Sequence, residues 1–352
     1  MNRRKFITSS AITVSAFSVP IKVNANNLFF NQPKPRIKPN MLKEGDTVGL
    51  IVPGSFITEE ELFESVANLE KLGLKSYYTE NILAKKGYLG GTDEQRVSDL
   101  HHMFENKEVK GIVCARGGYG CNRILPMINY DLIKNNPKIL IGYSDITALL
   151  YAIYAKTGLI SFHGPVGIST FNDFSLGYMK QTLMERLDRQ FLISSEEDKT
   201  KEDPAYKIYT IAPGVAAGEL VGGNLSIAVS LLGTPYDVDY SGKIVFLEDI
   251  GEKPYKIDRM LTELLLAGKL QKASGIVLGV FVDCEIGNDD RSIQDSLNLR
   301  QVLEDRLATL GIPVIYGLSF GHIANKFTLP FGINAKLNTL DESIALQEPS
   351  VI

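Results

Sequence analysis

Gly142-Tyr143-Ser144-Asp145 lies between the strand-like run Lys138-Ile139-Leu140-Ile141 and the helix-like Ile146-Thr147-Ala148-Leu149-Leu150-Tyr151. A serine is thereby set at a sharp strand-to-helix turn, which exposes the side chain while the helix start aims N–H groups at incoming oxygen. The usual elbow reads G-x-S-x-G, and here Ile146 takes the place of the second glycine. The turn alone supports two readings of Ser144: a hydroxyl nucleophile, or an ordinary helix N-cap.

A nucleophilic hydroxyl needs a base, and the chain holds four histidines: His101, His102, His163 and His322. His101 and His102 are neighbours on a helix and cannot share a face, which excludes a metal pair and leaves them surface or half-buried. His163 ends a strand before Gly164-Pro165, as a residue lining a site or as a hydrogen-bonded structural one. His322 sits in Ser319-Phe320-Gly321-His322-Ile323-Ala324-Asn325, a glycine-flanked loop after the strand Pro313-Val314-Ile315-Tyr316, and such loops commonly carry catalytic groups. An orienting acid is available in Phe246-Leu247-Glu248-Asp249-Ile250-Gly251-Glu252. Glu248 follows Val245-Phe246-Leu247 directly and reads as a partly buried carboxylate wanting a partner, whereas Asp249 and Glu252 read as solvated or as caps of the helix near Pro254. Ser144, Glu248, His322 is the nucleophile, acid, base order of α/β-hydrolases.

The elements that must position these residues alternate short apolar runs with amphipathic stretches, which means an α/β fold. Thr47–Val52 reads as a buried strand, Thr58-Glu59-Glu60-Glu61 as a capping box, and Thr92-Asp93-Glu94-Gln95 as a second one. The strand Gly111-Ile112-Val113-Cys114 runs into Arg116-Gly117-Gly118-Tyr119-Gly120, so this glycine turn and Ser144 share the carboxyl edge of a parallel sheet, where ligands bind. The segment 171–209 reads as a polar, irregular interdomain passage, with a nucleophile-bearing sheet domain at 41–170 before it and a second domain at 210–345 after it. In that second domain the best helix begins at Pro254, with Ile257, Met260, Leu261, Leu264 and Leu265 on one face.

Residues 1–25 carry Arg3-Arg4-Lys5, an apolar stretch and Val23-Asn24-Ala25, the pattern of a twin-arginine-like export signal, and 26–40 reads as an Asn/Pro-rich linker. The alternative is an uncleaved anchor or a disordered tail. The apolar stretch is too short to span a bilayer comfortably, so no integral span is expected after cleavage. Cleavage removes four basic residues and no acid, taking the formal net charge from −4 to −8 and arguing against nucleic acid or anionic membrane as partner. The expected location is periplasmic. Cys114, Cys121 and Cys284 show no metal-ligand spacing, and only a 114–121 pair across the glycine turn stays open as a disulfide.

The resemblance that these motifs carry together is specific. Tyr88-Leu89-Gly90-Gly91-Thr92-Asp93, Ala115-Arg116-Gly117-Gly118-Tyr119-Gly120, Gly142-Tyr143-Ser144-Asp145, His163-Gly164-Pro165, Gly222-Gly223-Asn224, Leu247-Glu248-Asp249 and Gly321-His322 with Thr328-Leu329-Pro330-Phe331-Gly332 resemble the LD-carboxypeptidase family, the muramoyltetrapeptide carboxypeptidases, over Leu42 to Asn338. The resemblance implies a cofactor-free, metal-free serine peptidase with Ser144 as nucleophile, Glu248 as acid and His322 as base, removing the terminal D-alanine from murein tetrapeptides. It implies an amino-terminal flavodoxin-like or amidotransferase-like parallel sheet with helices on both faces, a smaller carboxyl-terminal α/β domain, and commonly a homodimer. Family members in murein recycling are usually cytoplasmic, and the export signal here departs from that.

For the oxyanion, the Asp145 N–H is one expected donor and Gly118 or Gly117 the other, since a glycine turn lets backbone come close; an ordinary turn is the alternative. A free terminal carboxylate needs a cation, for which Arg116 is the candidate by position, although pairing with a nearby acid suits it equally. Tyr119 and His163 complete the substrate-binding candidates. Arg259 reads as an intramolecular partner, and Phe171, Phe174 and Tyr178 as packing of the domain junction in preference to a cleft wall. Two further functions stay in view: a peptidase like the microcin C immunity proteins of the same family, which typically stack a base on a tryptophan this chain lacks, and a murein-peptide binding protein without turnover.

Overall fold

The computed structural model describes residues 35–286 and 296–352. The expected export signal and the first part of the expected linker lie outside the described residues.

Among the described residues two sheets form, of six and eight strands. In the first, β1 (Thr47–Ile51), β2 (Lys75–Tyr77), β3 (Val109–Cys114), β4 (Ile139–Gly142) and β5 (Ser161–His163) are parallel in the order β5-β4-β3-β1-β2. β4 is buried at every position, as a central parallel strand covered on both faces must be. The helices α1 (Glu59–Lys71) and α2 (Asp93–Glu105) begin at the two capping boxes expected from Thr58 and Thr92, both with reciprocal side-chain bonds. Two short helices, α3 (Cys121–Ile124) and α4 (Tyr130–Asn135), precede β4, and α5 (Thr147–Thr157) follows it, buried along most of its length.

The next segment, 171–209, is not irregular. It holds α6 (Asp173–Leu183), capped by the Asn172 side chain, then β6 (Gln190–Ile193) and α7 (Glu196–Thr200), and it ends at the start of β7 (Tyr209–Ala212). β6 escapes a pattern reading because its alternation is inverted: polar Gln190 points inward while Phe191 and Ile193 are about half exposed.

The second sheet contains β8 (Val215–Asn224), β9 (Ile244–Glu248), β10 (Gly275–Leu278) and β11 (Val314–Tyr316), parallel to one another, with β7 antiparallel on the β11 edge. The helices α8 (Leu225–Ser230), α9 (Pro254–Leu266) and α10 (Leu299–Leu307) connect them. α9 buries Ile257, Leu261 and Leu264, three of the five residues expected on its apolar face.

The chain then crosses back. β12 (Leu329–Phe331) pairs antiparallel with β5 and becomes the edge of the first sheet. It returns as β13 (Asn334–Asn338) and β14 (Ser343–Leu346), which extend the second sheet from β8 towards β6. The span 210–345 is therefore not confined to the second sheet. At the other end, residues 36–40 of the expected linker belong to the body: Ile37 exchanges backbone bonds with Gly158 and Ile160, and the Ile352 backbone bonds to Pro39 and Met41. One apolar core runs through both sheets, with Tyr151 and Tyr154 of α5 edge-on to Phe331. Among the described residues no helix is long and apolar enough to cross a membrane.

Candidate active site

Ser144 follows β4 and opens a single turn of 3-10 helix, Ser144–Ile146, that leads into α5. Its φ of +63° lies in the left-handed region, which costs a non-glycine residue about 1–2 kcal/mol and persists only where the surroundings hold it. Neither the 3-10 turn nor α5 has a side-chain cap bond, so the N-cap reading of Ser144 falls away. The turn after β3 closes against it. A Cβ on Gly117 would stand 3.0 Å from Ser144 Cβ and 3.3 Å from the Asp145 nitrogen, so any larger residue would have to push the serine turn back. Gly118 has φ +88° and lies on Ser55, whose N–H donates to the Gly117 carbonyl at 3.0 Å and whose hydroxyl accepts from the Tyr119 N–H at 3.1 Å. The buried Asp145 carboxylate accepts the Cys121 N–H at 2.9 Å and so ties the two turns together.

Glu248 ends β9, fully buried, and its Oε2 lies 2.8 Å from His322 Nδ1. Burial alone would push this carboxyl up, but the neighbouring His322 ring and its hydrogen bond, with the Asn224 side chain, bring it below its usual value. The carboxylate is therefore ionised, Nδ1 donates to it, and Nε2 is left as the acceptor nitrogen of His322. The imidazole lies edge-on to the Tyr143 ring at 4.8 Å between centroids, which sets it beside the residue preceding Ser144. Behind the site, the Asn224 N–H at the end of β8 donates to Thr147 Oγ1 at 3.0 Å, linking the second sheet to the first turn of α5.

His163 is buried among Tyr143, Phe246 and Phe320, and neither ring nitrogen has a hydrogen-bond partner. Burial lowers its pKa to about 4, so it is neutral near pH 7. His101 and His102 lie on α2, bonded to the Asn129 N–H and to the Tyr77 hydroxyl. Arg116 takes the structural pairing: its guanidinium meets Glu61 at 3.0 Å, the same glutamate that closes the α1 capping box. Tyr119 is 56% exposed and stands edge-on to Tyr88. Phe174 and Tyr178 pack on Phe327, and Arg259 lies over the Tyr255 ring.

Asp249 caps a different helix from the one expected. It accepts the Ser226 N–H and hydroxyl at the start of α8 and the Asn224 amide, and burial beside Glu248 lifts its carboxyl to about 6. Glu252 pairs with Lys256 on α9. Cys114, Cys121 and Cys284 are buried free thiols, which leaves 114 and 121 unjoined. Among the described residues no group of three or more His, Cys, Asp or Glu could hold a metal ion.

Sequence reasoning passed over one neighbour of the site. Lys326, four residues after His322, is 4% exposed, and its ammonium lies 4.4 Å above the Tyr143 ring centroid. Lying between Asn325 and Phe327 in a loop, it carries no sequence signal of its burial.

Comparison with known proteins places the chain in a family. Residues 48–164 match the profile described as the LD-carboxypeptidase N-terminal domain, and 217–337 match that of the LD-carboxypeptidase C-terminal domain. The chain is 40% identical over 315 residues to the probable murein peptide carboxypeptidase of Bacillus subtilis, covering 88% of this chain and 94% of that one. The solved structure of MccF in complex with glutamyl sulfamoyl guanosine superposes with a TM-score of 0.80 at 27% identity, covering 90% of this chain and 99% of that one. The muramoyltetrapeptide carboxypeptidase from Oxalobacter formigenes superposes with a TM-score of 0.72 at 29% identity, covering 85% and 97%.

Proposed function

The chain belongs to the LD-carboxypeptidase family of serine-type peptidases, and from that membership we propose that it removes the terminal D-alanine of murein tetrapeptides through Ser144, His322 and Glu248. The observation that carries the reading is the fully buried Glu248 bonded at 2.8 Å to His322, whose ring lies edge-on to Tyr143, the residue before a serine in a left-handed turn.

The steps follow from those roles. His322 Nε2 withdraws the Ser144 proton while Glu248 holds the tautomer and stabilises the imidazolium. Ser144 Oγ attacks the scissile carbonyl between the L-centre of the diamino acid and D-alanine. The N–H groups of Asp145 and of Gly118 or Gly117 receive the oxyanion. His322 then protonates the leaving amine, and water hydrolyses the acyl-enzyme by the same route in reverse. Incubation with a disaccharide tetrapeptide, followed by mass spectrometry, should show loss of one alanine. Ser144→Ala should lower kcat by about 10⁵ to 10⁶. Failure of the unsubstituted protein to release alanine from any murein peptide overturns the reading.

A second reading is favoured by the likeness to MccF, whose solved complex holds an aminoacyl sulfamoyl nucleoside. Cleavage of an aminoacyl sulfamate without cleavage of murein peptides would establish it; the lack of tryptophan weighs against it. Tight binding of murein peptide without turnover would establish a binding protein instead. Export to the periplasm on residues 1–25 and assembly as a homodimer complete the proposal, to be read by cell fractionation and by light scattering.

A further inference from the structure

We propose that Lys326 receives the free terminal carboxylate of the peptide and so makes this site a carboxypeptidase. The inference rests on the serine-peptidase reading above. It begins from a contrast between buried cations. Lys138 is buried too, and its ammonium donates to the carbonyls of Met103 and Asn106. Arg96 is buried and bonds to the Pro53 and Gly120 carbonyls and to Asp93. Lys326 is buried as deeply, yet among the described residues its ammonium has no hydrogen bond and no ion pair. Its one partner is the face of Tyr143.

The Lys326 stem is buried while its ammonium keeps a narrow contact with solvent, and for a cation so largely dehydrated one ring face replaces only part of the lost hydration. Glu248 supplies a favourable field, but its Oε2 is engaged by His322 and its Oε1, though unpartnered, makes no ion pair with the ammonium. The position matters as much as the missing partner. Tyr143 directly precedes Ser144, carries the His322 imidazole on its ring and lies under the Lys326 ammonium, so nucleophile, base and cation gather around one residue. Arg116, the cation that position alone suggested for this task, is paired with Glu61 instead. Burial lowers Lys326 only to about 8, so the side chain is mostly charged at neutral pH. A carboxylate brought to it gains a charge-assisted hydrogen bond in a place where water competes poorly.

The test compares a tetrapeptide ending in a free acid with the same peptide ending in an amide, for the unsubstituted protein, Lys326→Met and Lys326→Arg. The unsubstituted protein should prefer the acid. Lys326→Met should lower kcat/KM for the acid by about 10²-fold, chiefly through KM, and leave the amide nearly untouched, collapsing the preference. Lys326→Arg should keep part of it. An equal fall for both peptides would overturn the proposal, because a lysine acting through Glu248 or the fold cannot tell acid from amide; so would an unsubstituted protein without preference. If the Met variant does not fold, calorimetry on the unsubstituted protein decides, with D-alanine binding and D-alaninamide not; equal binding overturns the assignment. This measurement needs no turnover, so it also separates failure here from failure of the peptidase reading.

Discussion

Glu248 and His322 constrain each other in opposite senses: the carboxylate is kept ionised against burial by the ring, and the ring is kept in one tautomer by the carboxylate. Glu248→Gln retains shape but cannot stabilise the imidazolium, and kcat should fall about 10⁴-fold with the circular dichroism spectrum unchanged. His163 behaves differently. Its pKa is about 4 in the fold and about 6.5 in an unfolded chain, so between those values the unfolded state binds the extra proton. Its stabilising contribution is complete above pH 6.5 and is lost as pH falls towards 4, by up to about 1.4 kcal/mol per pH unit. Urea titrations at pH 4.5 and 6.5 should therefore show a smaller acid loss for His163→Leu than for the unsubstituted protein, and equal losses would exclude the effect. Glu248 was legible as a carboxylate wanting a partner because it ends an apolar run, and its partner in the fold is His322, singled out from its glycine-flanked loop. Arg116 stayed divided between a substrate and a structural reading because its partner, Glu61, is distant in sequence and reaches it only through the fold. Lys326 was illegible, since burial of a lysine is a fact of tertiary structure alone.

Among the elements, those with local signals appeared where they were expected. The capping boxes of α1 and α2 and the proline-led start of α9 are decided within a few residues, so the chain states them outright. β6 is decided by its neighbour β14, and no local pattern could reveal that. The connection between β11 and β12 shows how narrowly an element can fit its site. Gly321 has φ +112°, and a Cβ there would stand 3.0 Å from Glu248 Oε2 and 3.1 Å from the Val280 carbonyl. Gly321→Ala should shift the following imidazole against its carboxylate and lower kcat by about 10²-fold, with KM little changed, since misplacement of about 1 Å costs that much. Steady-state kinetics read this directly, and an unchanged kcat would mean the loop has slack that these contacts deny.

For the whole molecule, the two chain ends of the body fasten each other. Arg36 and Lys38 meet Glu348 at 2.6 and 2.8 Å, and against the effect of partial burial these partners and the Asn334 N–H bring that carboxyl down to about 2. Val351 is fully buried beside them. Removing residues 347–352 should lower the apparent melting temperature by about 4–8 °C, measured by calorimetry, through lost apolar burial and the strand-like bonds to Pro39 and Met41. The return of β12 to the first sheet was hidden for a related reason: Leu329-Pro330-Phe331 is three residues long with a proline in the middle, tolerable only on an edge, and its partner β5 is far away in sequence. That return sets a mechanical condition on turnover. The stretch 317–328 is moored at one end to each sheet, yet Gly321 bridges to Val280 and Glu248 ends β9, so the imidazole and its carboxylate ride together on the second sheet while Ser144 rides on the first. Any breathing that prised the sheets apart would therefore part His322 from Ser144 before it strained the His322–Glu248 bond, so the anchorage of β12 on β5 and the Asn224–Thr147 bond are what hold the two in one frame.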